Sequence, residues 1–180
     1  MNTDLERIYL SEKQIKERVK LAAEYLDGKF AGTYPLAIGI LKGSVMFYCD
    51  LLRSMKTPVQ MDFMTVSSYG SGTSSSGAVR IVTDVSAEVA GRDLLIVEDI
   101  VDSGNTLQGL RRLFGERGAK SVTTVTLLDK PARRQVDINA DYSCFVCEDE
   151  FLVGYGLDFA QKYRNLPYIA ILKREVYEQS

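Results

Sequence analysis

The chain has 180 residues, 46% of them apolar and 26% charged, with a net charge of −2. That is long enough for one domain with a substantial core, ordinary for a globular protein, and without the positive excess of a general nucleic-acid binder. No apolar run approaches the roughly 20 residues needed to cross a bilayer. The polar, acidic start Met1-Asn2-Thr3-Asp4-Leu5-Glu6 also lacks the apolar stretch of a signal peptide, so a cytoplasmic protein with no membrane or nucleic-acid partner is expected.

Ser11-Glu12-Lys13-Gln14 spells a capping box. Ile15, Val19, Ala22, Ala23 and Leu26 follow on one helical face, and Gly28 offers a stop. Residues 36–41 are a short apolar run, hence a buried strand, ending in Lys42-Gly43-Ser44. Residues 45–55 read as helix, and Pro58 breaks the chain beyond it. Residues 59–69 are mostly strand, and the glycines and serines of 70–77 form a flexible loop by composition. Further strands are expected at 79–82, 94–97, 122–128, 142–147 and 168–172, with a helix at 107–114 and Gly118 near its end. Strands alternating with helices mean an α/β domain with a largely parallel central sheet. Ligands of such sheets sit beyond the carboxyl ends of the strands, where segments 42–44, 98–106 and 129–130 all fall.

The chain has no histidine. Ser-His-Asp and Cys-His nucleophile systems are therefore excluded, and a general base must be Asp, Glu, Lys, Tyr or Cys. Cys144 and Cys147 form a CxxC pair on an expected strand. No second pair or histidine completes a zinc site, and positions three apart on a strand face opposite sides, so these are read as core thiols with diverging sulfurs.

Glu98, Asp99 and Asp102 crowd the end of a buried strand, and Asp102-Ser103-Gly104-Asn105-Thr106 leads into the next helix. The N–H groups of that turn can cradle an anion at the helix N-terminus. Ser103 and Thr106 add hydroxyl donors, and Gly104 permits close approach. Acids beside a phosphate cup need another task, such as binding ribose hydroxyls or sharing Mg²⁺. The blander reading, a helix cap and two strand-end charges, does not account for three acids together. No GxxxxGK[ST] is present, and Gly70-Ser71-Gly72 lacks the third glycine of a dinucleotide fingerprint.

Val97 to Thr106 resembles the phosphoribosyl-diphosphate (PRPP) loop of the type I phosphoribosyltransferases. Four more stretches, in the same order, narrow the resemblance to the 6-oxopurine (hypoxanthine-guanine) branch in its bacterial form: Leu41-Lys42-Gly43-Ser44, Ser67-Ser68-Tyr69-Gly70, Leu127-Leu128-Asp129-Lys130-Pro131, and Phe151 to Asp158 with Tyr163-Arg164-Asn165-Leu166-Pro167.

The resemblance implies a single domain over 1–180, with a small hood formed by N- and C-terminal segments. It implies transfer of the phosphoribosyl group of PRPP to hypoxanthine or guanine, giving IMP or GMP and diphosphate with Mg²⁺ as cofactor, in a homodimer or homotetramer. Asp102, Ser103, Gly104, Asn105 and Thr106 would take the 5′-phosphate. Glu98 and Asp99 would face the ribose hydroxyls, partly through Mg²⁺, and Asp158 would bind a second Mg²⁺. Lys42 and Gly43, where a cis peptide is implied, and Arg164 would hold diphosphate. Lys130 would read the 6-oxo group, Phe151 would stack on the purine, and the Leu152 backbone would read the far edge of the base. Asp102 would be the base, and Ser68 and Tyr69 would sit on a closing lid. A PRPP- or nucleotide-sensing regulator on the same fold and a xanthine-preferring enzyme are the competing readings.

Overall fold

The computed structural model describes residues 3–67 and 80–178. Its centre is a six-stranded sheet in the order β4 (Arg80–Thr83), β3 (Gln60–Ser67), β2 (Leu36–Leu41), β5 (Asp93–Val101), β6 (Ser121–Asp129), β7 (Tyr142–Val146). All neighbours run parallel except β4, which is antiparallel to β3 at one edge.

The pleat of β5 sorts its side chains onto two cores. Leu95 and Val97 face α1 (Glu12–Lys29) and α2 (Val45–Ser54), while Leu94 and Ile96 pack with Leu110 and Phe114 of α3 (Asn105–Glu116). A strand buried on both faces must be apolar throughout, which is why 94–97 is a continuous apolar run.

The helix α1 starts where the sequence indicates: Ser11 accepts from the Gln14 N–H, and Gln14 reaches back to the Ser11 N–H at 3.0 Å. Ile15, Val19, Ala22, Ala23 and Leu26 are its buried stripe. Gly28 does not stop it; the helix runs to Lys29 and closes on Phe30, whose N–H bonds the Leu26 carbonyl at 2.8 Å.

Two differences bear on the site. β5 continues through Glu98 and Asp99 to Val101, with Glu98 paired to Thr126 and Val101 to Asp129, so the acids stand within the strand and their backbones are fixed by the ladder. A second, antiparallel sheet of order β1 (Leu5–Leu10), β9 (Ile169–Leu172), β8 (Leu152–Val153) joins the two ends of the chain. Its β1 strand is not evident from sequence, because charged Glu6 and Arg7 interrupt the apolar alternation.

Cys144 and Cys147 are both buried in the α1/α2-side core and neither is in a disulfide. Their sulfurs do not diverge as strand alternation would require, since β7 ends at Val146. Beyond it the Cys147 N–H and thiol both donate to the Asp129 carbonyl, at 2.8 and 3.3 Å. Burial pushes the two thiols up to about 12 and about 11, so both stay protonated near neutral pH.

Candidate active site

A cavity of about 570 Å³ opens at the carboxyl ends of β2 and β5. Lys42, Gly43, Glu98, Asp99, Asp102, Ser103, Gly104, Thr106, Asp158 and Arg164 all line it. Two smaller cavities, about 360 and 270 Å³, lie along α1 and α2 and gather no comparable set of acids and donors.

The turn after β2 carries a cis Leu41–Lys42 peptide, in the segment where one was implied. Its Gly43 is packed so tightly that a Cβ there would stand 1.6 Å from Asp99 Oδ2. Lys42 is exposed, with Nζ 3.5 Å from Gln161 Oε1.

The turn after β5 reverses at Gly104, whose φ of +85° is open to glycine at little cost. A Cβ there would come within 2.7 Å of Ile138. Gly104 precedes α3 and no side chain caps this end, which excludes the reading of Asp102 as a helix cap. Ser103 Oγ accepts from the Asn105 N–H at 3.3 Å. Asn105 does not line the cavity: its Nδ2 donates to Gln135 Oε1 at 3.0 Å. Asp102 Oδ1 is buried without a hydrogen-bond partner among the described residues, and Arg133 Nη1 stands 3.9 Å from Oδ2.

Glu98 is 6% exposed. Burial raises its carboxyl well above the ordinary range, and the charge of Asp99 adds to this. Burial also pushes Asp99 up to about 6, against N–H bonds from Ile100 and its own backbone and the charge of Arg164. Two such groups side by side repel each other when both are charged.

The remaining wall comes from the loop between β8 and β9. Arg164 pairs with Asp158 at 2.7 Å and donates to the Gly156 carbonyl at 2.7 Å, so it is half-buried and engaged rather than a loose surface cation. Ala160, Gln161 and Tyr163 all have positive φ, and Asp158 accepts from the Gln161 N–H at 2.8 Å.

Lys130, Phe151 and Leu152 lie outside the lining of this cavity. Lys130 is 7% exposed, not a solvated loop charge, and its Nζ donates to the Glu150 carbonyl at 2.5 Å. Phe151 stacks on Tyr177 at 4.7 Å and meets Phe159 edge-on at 5.5 Å, so one face of its ring is already covered. Leu152 is on the edge strand of the small sheet, opposite Ile171, while the flanking Phe151 carbonyl takes the Leu172 N–H. Residues flanked in this way form a non-hydrogen-bonded pair, which turns the Leu152 N–H and C=O toward the free edge. Ser68 and Tyr69 lie outside the described residues.

Sequence reading missed the segment after β6. Arg134 pairs with Asp129 and donates to the Asp102 carbonyl at 2.8 Å. The Gln135 N–H donates to the Ser103 carbonyl at 2.9 Å. The only local signal was a charged cluster after Pro131, which does not say what the charges meet.

This parallel α/β sheet with an acid pair and an open helix N-terminus at its carboxyl edge is the arrangement of a phosphoribosyltransferase, and residues 5–160 match the phosphoribosyl transferase domain. The hypoxanthine-guanine phosphoribosyltransferase of Bacillus subtilis is 52% identical over 178 residues, 99% of each chain. The bifunctional protein TilS/HprT of Listeria monocytogenes is also 52% identical, over 179 residues, but this chain spans 28% of its length. A hypoxanthine phosphoribosyltransferase structure from Staphylococcus aureus superposes with a TM-score of 0.92 at 45% identity, covering 97% of this chain and 95% of that one. One from Trypanosoma cruzi gives 0.94 at 38% identity, covering 99% and 97%. The chain belongs to the hypoxanthine-guanine phosphoribosyltransferase family.

Proposed function

We propose that this chain, as a single phosphoribosyltransferase domain, transfers the 5-phosphoribosyl group of PRPP to N9 of hypoxanthine or guanine, giving IMP or GMP and diphosphate in purine salvage. The observation that carries the reading is the meeting in one cavity of Asp102, Ser103, Gly104 and Thr106, the buried Glu98–Asp99 pair and the Lys42–Gly43 turn with Asp158 and Arg164. Relatives that bear this activity in their names, aligned over nearly the whole chain, support it.

The N–H groups and hydroxyls of Ser103, Gly104 and Thr106 receive the 5′-phosphate at the open end of α3. Asn105 serves this turn from behind, through Gln135. Lys42, the Gly43 backbone and Arg164 hold the diphosphate, for which a guanidinium fork is well shaped. Lys130 donates to the purine 6-oxo group, exchanging the Glu150 carbonyl for it. The free face of Phe151 stacks on the base, and the Leu152 backbone reads its far edge.

N9 attacks C1′ as the bond from C1′ to the diphosphate oxygen breaks, and that electron pair leaves with diphosphate. The N7 proton passes to Asp102, whose Oδ1 has no other hydrogen-bond partner among the described residues.

The donor set fits a divalent cation. Glu98, Asp99 and Asp158 offer hard oxygens, and burial together with the neighbouring carboxylates opposes charge on the first two, which a cation would relieve. The described residues form no ready-made cluster of three or more metal ligands. A site completed by substrate oxygens is how Mg²⁺ is usually held. Bound there, Mg²⁺ would neutralise charge on the diphosphate leaving group. A homodimer or homotetramer in the cytoplasm completes the reading; among the described residues no helix is long and apolar enough to cross a membrane.

The test is diphosphate release from PRPP and Mg²⁺ with hypoxanthine, guanine, xanthine, adenine or uracil. Turnover with hypoxanthine or guanine, abolished by EDTA and restored by Mg²⁺, is expected. Xanthine as sole substrate would change the assigned base. PRPP binding without turnover on any base would make the chain a sensor.

A further inference from the structure

Among the described residues Asp102 Oδ1 has no hydrogen-bond partner to aim it, and the Arg133 guanidinium, 3.9 Å from Oδ2, is too far for a hydrogen bond. Its direction is set by the main chain that carries it, and that main chain is held from the side. Arg134 follows the short turn Pro131–Arg133 after β6. Its Nη1 donates to the Asp102 carbonyl at 2.8 Å, and its Nη2 pairs with Asp129 at the end of β6. The two side chains are 14% and 10% exposed, so this is not a loose surface pair. The Arg134 Cδ also lies 3.1 Å from where a Cβ on Gly104 would stand, so the side chain crosses the turn it supports.

We infer that Arg134, anchored by Asp129, is the positioning residue that orients Asp102 for proton transfer. This rests on the proposed function, in which Asp102 is the base. The arrangement needs both arms of a guanidinium. One reaches the anchor, the other the carbonyl, and an ammonium has no rigid fork to span two acceptors in this way. Asp129 also cancels the charge of Arg134, so the carbonyl is fixed without adding a net cation beside the base. The neighbouring Gln135 bonds to Ser103 and Asn105 hold the phosphate part of the turn separately. Loss of Arg134 should therefore fall on kcat more than on the KM for PRPP.

The experiment is a double-mutant cycle on kcat with hypoxanthine: wild type, Arg134→Lys, Asp102→Asn and the double variant, each checked for a wild-type-like thermal melt. Arg134→Lys should lower kcat about tenfold or more in the wild-type background, within the range a misplaced general base loses. It should change kcat less than about twofold once Asp102 is already Asn, because residues acting as one unit are not additive. Undiminished kcat for Arg134→Lys, or an equal fold-loss in both backgrounds, overturns the role. Should Arg134→Lys fail to fold, Asp129→Asn keeps the guanidinium and removes its anchor, and the same non-additivity is required of it. A wild-type chain that never turns over defeats the functional reading itself. Turnover with additive losses defeats only the role of Arg134.

Discussion

Asp102 and Lys130 differ in what surrounds them, and the predictions differ accordingly. Asp102 brings to the cavity a buried oxygen with no hydrogen-bond partner among the described residues. On the proposed role of Asp102 as the base, Asp102→Asn keeps the shape but cannot take the N7 proton, so kcat should fall roughly 10² or more, the size of a lost general base. PRPP binding by calorimetry should survive. Wild-type turnover in this variant would remove Asp102 from the base role. Lys130 is buried, with its ammonium on the Glu150 carbonyl and 3.8 Å from Asp149. On the proposed role of Lys130 as donor to the 6-oxo group, Lys130→Ala should lower kcat/KM for hypoxanthine by about 10- to 100-fold while adenine stays unused. An unchanged kcat/KM for hypoxanthine in this variant would show that Lys130 does not read the base.

Among the elements, α1 shows how local pattern and distant contact combine. Its capping box and apolar stripe are local. Its far end is tied to the chain beyond α2 by Asp27, whose carboxylate accepts from the Lys56 and Thr57 N–H groups at 2.8 to 3.0 Å. Burial works to raise the Asp27 carboxyl, but the N–H bonds from Thr57 and Lys56 outweigh it and hold it below its ordinary 3.8. A carboxylate depressed on folding contributes stability that is present above its unfolded value and lost as pH falls through its folded one. Asp27→Asn should therefore cost roughly 1–2 kcal/mol at pH 7, and the gap in urea midpoint between the two proteins should narrow below pH 3.8. A gap that widens on acidification would mean the charge of Asp27 does not provide the stabilisation. The long reach of β5 is a second lesson at this scale. Apolar residues mark only 94–97 as strand, yet pairing with β6 carries it to Val101 and so sets the spacing of the acids.

At the scale of the whole molecule, the segment after the small sheet's β8 and the turn after β2 of the central sheet meet at the cavity through a close backbone approach. Gly156, in the loop that follows β8, has φ +102°, and a Cβ on it would stand 1.9 Å from the Gly43 carbonyl of the turn after β2. Gly156→Ala must therefore strain its own backbone and push the two turns apart. We expect a stability loss of about 1–3 kcal/mol, typical of a residue forced into that region, together with a raised KM for PRPP. An unchanged melting temperature and KM would mean the contact is slack. Tyr155 to Asp50 and Tyr163 to Asp4, at 2.8 and 2.6 Å, also tie this part of the chain to α2 and to the N-terminal segment.

By itself the sequence determined the α/β class, the capped start of α1 and most strand positions, because caps, apolar periodicity and buried runs are local properties of the chain; the uncapped α3 begins at Asn105, two residues before its apolar face marks it. It also marked the motif residues that line the cavity, since phosphate cradles need glycine and hydroxyls at short fixed spacing. Tertiary structure alone decided the rest. The pairing of β1 with β9 joins opposite ends of the chain, and neither strand alone encodes its partner. Arg134 reads as one charge among several until Asp129 and the Asp102 carbonyl are seen on its two arms. Phe151 reads as a free stacking platform until Tyr177 is found on one face. In each case the deciding partner is distant in sequence or fixed by backbone direction, and only the packed chain brings the two together.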